Sequence, residues 1–241
     1  MNRIITYEKL RNFTYSNDAL ITGKIKGLVI DFIGLGGQNM QSDNEAGKKS
    51  AEKSIIYITP YNNPWNWMNR QAISITDEII DVLFDHYSLP DTLPIVSSGG
   101  SMGGQSAIVY CRYAKRTPVA CVANCPVCDM PYHFTERPDL PRTMYSAFYN
   151  EQGELNEILK KYSPLHLAPE MPDINYYIFH CGSDEAVNKE KHSDKFVAAM
   201  KDRKVTYYEI PGRGHCDLGE DMAKLYHEKL TESIFNKLLC Q

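Results

Sequence analysis

At 241 residues, with 43% hydrophobic and 23% charged side chains, the chain has the length and composition of one large α/β domain, 1–241, with a buried core. A formal net charge of -4 and a pI near 6.0 leave no basic footprint for nucleic acid, and no apolar run is long enough to span a membrane. Seven cysteines, odd in number and irregularly spaced, point to reduced thiols rather than a disulfide framework. The opening Met1–Lys9 lacks the apolar stretch of a secretory signal, which favours a cytoplasmic location.

Residues 1–26 read as an irregular lead-in, with short strand candidates at Ile4–Tyr7 and Phe13–Tyr15. Ile25–Ile33 is β-branched and apolar, a buried strand that ends in Gly34-Leu35-Gly36-Gly37. Glu45–Lys53 reads as a short polar helix. Ile55–Ile58 gives the next strand, closed by Thr59-Pro60. The loop that follows holds both tryptophans, Trp65 and Trp67, among asparagines. Thr76, Ile79, Ile80, Leu83, Phe84 and Tyr87 then mark one face of a helix.

Leu93–Ser97 is a short buried strand, and Ala107, Ile108, Tyr110, Cys111 and Ala114 recur at helical spacing. Between them stands Gly99-Gly100-Ser101-Met102-Gly103. A G-x-S-x-G at a strand-to-helix turn is the setting of a nucleophile elbow, where glycines make room for a serine in a strained backbone conformation. Val119–Val122 is a further strand. Residues 125–175 then break the rhythm, holding seven of the 13 prolines, and read as a short lid insertion, helical around Thr143–Tyr149 and Glu154–Lys161. Strands at Tyr176–Phe179 and Val205–Ile210 resume the sheet, with helices through Phe196 and Met200 and through Met222–Leu230. Strands alternating with helices imply a mostly parallel central sheet with helices on both faces.

Function in such a sheet collects at the carboxyl ends of the strands. After Phe179 comes His180-Cys181-Gly182-Ser183-Asp184-Glu185-Ala186-Val187, and after Ile210 comes Pro211-Gly212-Arg213-Gly214-His215-Cys216-Asp217. Serine, acid and histidine, each just past a strand, are the types that nucleophilic catalysis needs together. Serine is a weak nucleophile, histidine removes its proton, and a carboxylate fixes the ring's tautomer.

With these motifs the chain resembles the α/β-hydrolases, within them the prolyl-oligopeptidase-like and acyl-esterase branch, over nearly all of residues 25–240. The resemblance rests on Gly99–Gly103, on His180-x-Gly-x-Asp184-x-x-Val187, on Pro211-Gly-x-Gly-His215 and on Ser163-Pro164. It implies the α/β-hydrolase fold, with Ser101 as nucleophile, His215 as general base and acid, and Asp184 as orienting acid. Glu185 and Asp217 are the competing acids. His180 reads as a structural histidine at a strand end.

The oxyanion hole would pair the Met102 amide with an amide of the loop after Ile33, either Leu35 or Gly36. Ile33 replaces the histidine usual in related enzymes. Trp65 and Trp67 offer a stacking face for substrate or pack as core, and His133 lies in the lid within possible reach of substrate. Cys125-Pro126-Val127-Cys128 has the spacing of a redox or zinc pair. No second ligand pair stands nearby, and Pro131 disfavours a helix start behind it.

No metal or organic cofactor is implied. The expected function is a serine hydrolase acting on a small carboxylic ester of short acyl chain through an acyl-enzyme. A small exopeptidase or acyl-peptide hydrolase, and a non-catalytic binding protein of the same fold, are the alternatives.

Overall fold

The computed structural model describes residues 4–37, 39 and 42–239. Its strands are β1 (Thr14–Ser16), β2 (Gly27–Phe32), β3 (Ile55–Pro60), β4 (Ile95–Gly100), β5 (Ala120–Asn124), β6 (Asn175–Cys181) and β7 (Lys204–Ile210). The helices are α1 (Glu45–Glu52), α2 (Arg70–His86), α3 (Met102–Tyr113), α4 (Met130–Glu136), α5 (Leu140–Phe148), α6 (Leu155–Lys161), α7 (Pro164–Leu167), α8 (Ser193–Ala199) and α9 (Gly219–Leu239).

The strands form a single sheet in the order β1-β3-β2-β4-β5-β6-β7, antiparallel only between β1 and β3. Strands β3 and β5 are buried along their whole length and β4 at all but its last residue, Gly100, as a parallel sheet covered on both faces requires. One face packs against α2, α3, α8 and the helices between β5 and β6, through Ile79, Leu83, Ile108, Met144 and Phe196. The other face is covered by α9, through Tyr226, Leu230 and Ile234, with Ala46 of α1 beside them. No helix among the described residues is long and apolar enough to cross a membrane.

Register then places the chemistry. Phe32 pairs with Gly99, Gly100 with Asn124, Asn124 with Phe179, and Cys181 with Ile210. The carboxyl ends of β2, β4, β5, β6 and β7 therefore lie along one edge of the sheet. The loops that leave them carry Leu35, Ser101, Cys125, Asp184 and His215.

Two expected local elements differ. Ile4–Tyr7 is not a strand: Tyr7–Asn12 is a 3-10 turn, and the Ile4 and Ile5 amides donate to Glu78 Oε1 at 2.5 and 2.7 Å. Pro131 does not prevent a helix. It stands in the first turn of α4, where a missing N–H costs nothing, and the Asp129 carboxylate caps that turn by accepting from the Tyr132 amide at 3.1 Å.

Candidate active site

The turn between β4 and α3 holds Ser101 at φ 58° and ψ -124°, a conformation that a side chain rarely adopts. Its neighbours enforce it. The Ser101 amide donates to the Asn124 carbonyl at 2.9 Å, and the Ser101 carbonyl accepts from the Gln105 amide at 3.0 Å. The motif's outer glycines are where the crossing is tightest. A Cβ on Gly103 would stand 2.0 Å from the Phe32 carbonyl oxygen, and one on Gly99 would stand 2.4 Å from the Gly103 oxygen. The first turn of α3 thus lies directly on the ends of β2 and β4. From the opposite face, the Tyr226 hydroxyl accepts from the Gly99 amide at 3.1 Å and donates to the Val122 carbonyl at 3.1 Å.

Past β6, Asp184 turns its carboxylate inward, with its side chain fully buried. Oδ1 accepts from the Ala186 and Val187 amides at 2.9 Å each, and Oδ2 accepts from His215 Nδ1 at 2.7 Å. Burial opposes the ionised form. Hydrogen bonds from His180, His215 and the Val187 amide outweigh it and hold the Asp184 carboxyl well below the usual carboxylate range. Of the three acids near the expected position, Asp184 is the one at His215. Glu185 is exposed, and Asp217 pairs with Arg213 at 3.0 Å in solvent.

His215 is pulled down by burial but pushed up further by the Asp184 carboxylate and the Cys125 thiol, reaching about 9. Its Nε2 meets Cys216 Sγ at 3.7 Å, and no hydrogen bond to the Ser101 hydroxyl is made in this arrangement. The two loops nevertheless adjoin. The Asn124 carbonyl that receives the Ser101 amide also receives the Cys216 thiol at 3.8 Å, and a Cβ on Gly100 would lie 3.3 Å from Cys216 Sγ. The structure therefore forms the acid–histidine pair and sets it beside the strained serine.

The β2–α1 loop closes the other side. A Cβ on Gly34 would stand 3.8 Å from Ser101 Cβ. The Gly36 amide donates to the Pro64 carbonyl at 3.0 Å, and the Gly37 amide to the Gly34 carbonyl at 3.0 Å. The Leu35 and Met102 amides have no such partner among the described residues.

No protein-family model matches the sequence, and a search of curated proteins returns no relative. Solved structures do match. A Mycobacterium tuberculosis puromycin-hydrolyzing peptidase superposes with a TM-score of 0.63 at 15% identity, over 90% of this chain and 35% of that one. Est1E from Butyrivibrio proteoclasticus gives 0.61 at 15% identity, over 94% of each chain. A thermophilic esterase from Thermogutta terrifontis, with propionate bound, gives 0.63 at 16% identity, over 92% of this chain and 88% of that one. The chain has the α/β-hydrolase fold. It spans about a third of the length of the matching peptidases.

Of the remaining candidates, Trp67 packs as core, His133 is buried and Trp65 borders a cleft. Trp67 is fully buried. It sits at φ 44°, donates from Nε1 to Thr143 Oγ1 at 3.1 Å and meets the His133 ring edge-on at 5.6 Å, so it presents no stacking face. His133 is buried too, with Nδ1 2.6 Å from Glu136 Oε2. Trp65 is 38% exposed, with the Arg142 guanidinium over its ring at 5.7 Å.

Trp65 lines a cleft of about 790 Å³ with Asn62, Asn69, Arg70, Tyr149 and Glu151; Ser101 does not line it. Asn62, Asn63 and Asn66 of that cleft also border a narrow recess against Gly34 and Met102. The walls of the larger cleft carry more amide side chains than aromatic ones.

Cys125 and Cys128 are not a pair. Cys125 belongs to the core on the α9 face of the sheet and Cys128 to the core on the α3 face, where burial pushes its thiol well up. His180 proves closer to the chemistry than a strand-end histidine: fully buried, its Nε2 lies 3.4 Å from Asp184 Oδ2 and donates to the Val187 carbonyl at 3.1 Å. Its place at the carboxyl end of β6, four residues before the acid, is the sequence signal that marks it.

Proposed function

We propose that the protein is a serine hydrolase that cleaves small carboxylic esters of short acyl chain through an acyl-enzyme. The observation that carries this reading is the partly buried Asp184–His215 hydrogen bond of 2.7 Å set beside a serine held at φ 58°. Ser101 Oγ attacks the ester carbonyl while His215 Nε2 takes its proton. The same nitrogen returns the proton to the departing alcohol, and water then repeats the sequence on the acyl-enzyme. Asp184 keeps the Nδ1 proton in place, so that Nε2 is the accepting atom. Hydrogen bonds of this kind are often long in a free enzyme and tighten with substrate, which suits the open Ser101 hydroxyl.

The oxyanion falls to the Met102 and Leu35 amides. Neither has another partner among the described residues, and the amino end of α3 adds its positive dipole. Gly36 is the weaker choice because Pro64 occupies its amide.

The recess against Gly34 and Met102 is only about 10 Å³, which argues against a long acyl chain on that side, and the larger polar cleft past Trp65 suits the alcohol side. One esterase of this fold holds propionate. Esters are favoured over amides because an amine leaving group must be protonated by an acid already aimed at it, whereas Nε2 rests against Cys216.

The test is a panel of aryl esters from acetyl to palmitoyl alongside aminoacyl amides, with Trp65→Ala beside the wild type. The expected result is a maximum of kcat/KM at acetyl to butyryl, slow amide cleavage, and a raised KM in Trp65→Ala. Faster amide than ester cleavage would favour the peptidase reading. No turnover of any member would favour a binding protein.

A further inference from the structure

Three clusters of ligating side chains occur among the described residues, and two of them are closed. In the first, His192 Nδ1 accepts the Cys128 and Asp129 amides at 3.1 and 3.0 Å. Its Nε2 and the His133 Nδ1 both face Glu136 Oε2, so every inward atom is spoken for. In the second, of Cys125, His180 and Asp184, the His180 nitrogens face Ser193 Oγ and the Val187 carbonyl, and both Asp184 oxygens are occupied.

The third is open. Cys125 Sγ, His215 Nε2 and Cys216 Sγ converge, with all three ligating atoms within 4.8 Å of one another. We propose that Cys125, His215 and Cys216 form a site for a thiophilic divalent cation of the zinc class, which occupies the Nε2 face of the base and silences hydrolysis while bound. The consequence for turnover rests on His215 being the base; the site itself does not.

The geometry suits the ion. Bonds of about 2.3 Å to sulfur and about 2.0 Å to nitrogen put tetrahedral neighbours roughly 3.5 Å apart. Cys216 Sγ and His215 Nε2 already stand at 3.7 Å. His215 Nδ1 is held by Asp184, the carboxylate–histidine arrangement that orients an imidazole toward a metal.

Both thiols are placed by backbone that glycine would adopt freely: Cys125 at φ 45° and Cys216 at φ 60°. Such left-handed residues carry a cost that a cysteine bears only if its surroundings impose it. Cys125 Sγ also accepts the Cys181 and Cys216 amides at 3.4 Å each; the Cys216 side chain and burial push its thiol well up, so it is the charge of the bound ion that draws off the proton. Beside the cluster, Asn124 donates from Nδ2 to the Cys216 carbonyl at 3.1 Å, while its Oδ1 is buried with no partner. That oxygen offers an acceptor for a water held in the fourth position. Cys216 and His215 are only partly buried, so the ion has an entry.

Binding takes up one M2+, which accepts a lone pair from each thiolate and from Nε2, and releases to solvent the two thiol protons and, below about pH 9 where His215 is protonated, the Nε2 proton as well. The Nε2 lone pair is then unable to receive the Ser101 proton. Soft sulfur ligands select zinc, cobalt and cadmium over magnesium and calcium.

The experiment titrates the full-length, metal-free protein with Co2+ and follows thiolate-to-cobalt charge-transfer absorption. Zn2+ is then added as the displacing ion, and aryl acetate hydrolysis is read in parallel. The expected result is one ion per chain, no response to Mg2+, and inhibition by Zn2+ that follows occupancy and is reversed by EDTA. Cys216→Ala and Cys125→Ala should each weaken binding at least about a hundredfold, each rate being referred to that variant's own metal-free rate. Should Cys125→Ala fail to fold, Cys216→Ala decides, since that side chain is only partly buried. No thiolate band, or a band that survives in both variants, would overturn the site. Stoichiometric binding with undiminished turnover would overturn the silencing and count against His215 as the base.

Discussion

Replacing Asp184 by asparagine removes one charge and almost no volume, and its effect follows from the contacts of the carboxylate. Oδ1 accepts two amides and Oδ2 accepts from His215 Nδ1. An asparagine that keeps its oxygen toward the Ala186 and Val187 amides must turn its NH2 toward His215. Nδ1 then becomes the acceptor and the proton moves to Nε2, the atom that has to accept from Ser101. The plateau rate should fall by about 10³ to 10⁴, the scale of a wrong tautomer.

The pH profile should change in the opposite sense. In the wild type, burial lowers His215 but Asp184 and Cys125 raise it to about 9. With Asp184 neutral, burial is left against a weaker opposition, and the value should drop to or below the ordinary 6.5. At pH 7 about one wild-type molecule in a hundred then has a neutral base, and at pH 9 about half do. The wild-type-to-variant ratio of kcat/KM should thus grow about fortyfold between pH 7 and pH 9.

His215, raised in the folded state, also adds stability that is fully present below about pH 6.5 and is lost as pH rises through about 9. With solvent screening this amounts to no more than about 2 kcal/mol. Initial rates of aryl acetate hydrolysis from about pH 6 to about pH 10, with urea unfolding at the same pH values, measure both effects. Equal pH limbs in the two proteins, or a wild-type limb at the free-histidine value, would refute the reasoning.

Four further outcomes are expected. Ser101→Ala and His215→Ala should each abolish turnover, and the double variant should be no worse than either, because the groups act as a unit; additive losses would contradict this. Ser101→Gly should raise the melting temperature by a few degrees, since glycine adopts φ 58° without the roughly 1 kcal/mol cost of a side chain, and should have no activity. Gly103→Ala should cost at least about 3 kcal/mol, a fall in melting temperature of roughly 6 to 12 °C, because its Cβ meets the Phe32 carbonyl at 2.0 Å. Gly100→Ala, where the nearest atom is a thiol at 3.3 Å, should be tolerated far better.

The candidate site was legible wherever the signal was local. Gly99–Gly103 between an apolar run and a helical one names its own turn, and Asp184 and His215 each follow a strand by a few residues. The order of those strands in the sheet then follows from parallel connections, which bring the loops to one edge. What escaped the sequence were contacts between distant segments.

Trp67 turns inward because residue 67 is left-handed and Thr143 waits 76 positions away. Asn62, Asn66 and Trp65 gave no sign of which of them would face the cleft. The pairing of Cys125 with Cys216 rather than Cys128 depends on a strand-end turn that sends neighbouring cysteines to opposite faces of the sheet. Pro131 was ambiguous for a physical reason: proline breaks a helix from inside but starts one from its first turn. Ile4–Tyr7 shows the limit of β-branched composition, since its first two amides settle on the Glu78 carboxylate instead of a strand.

The central claim is that Ser101 is a nucleophile activated by His215. Incubation of the folded protein with a fluorophosphonate, followed by peptide mass analysis, tests it most directly. The account predicts one phosphonyl group per chain, on Ser101, with labelling slowed by several orders of magnitude in His215→Ala. A folded wild type that takes no label, or that takes it on another serine, would contradict the account.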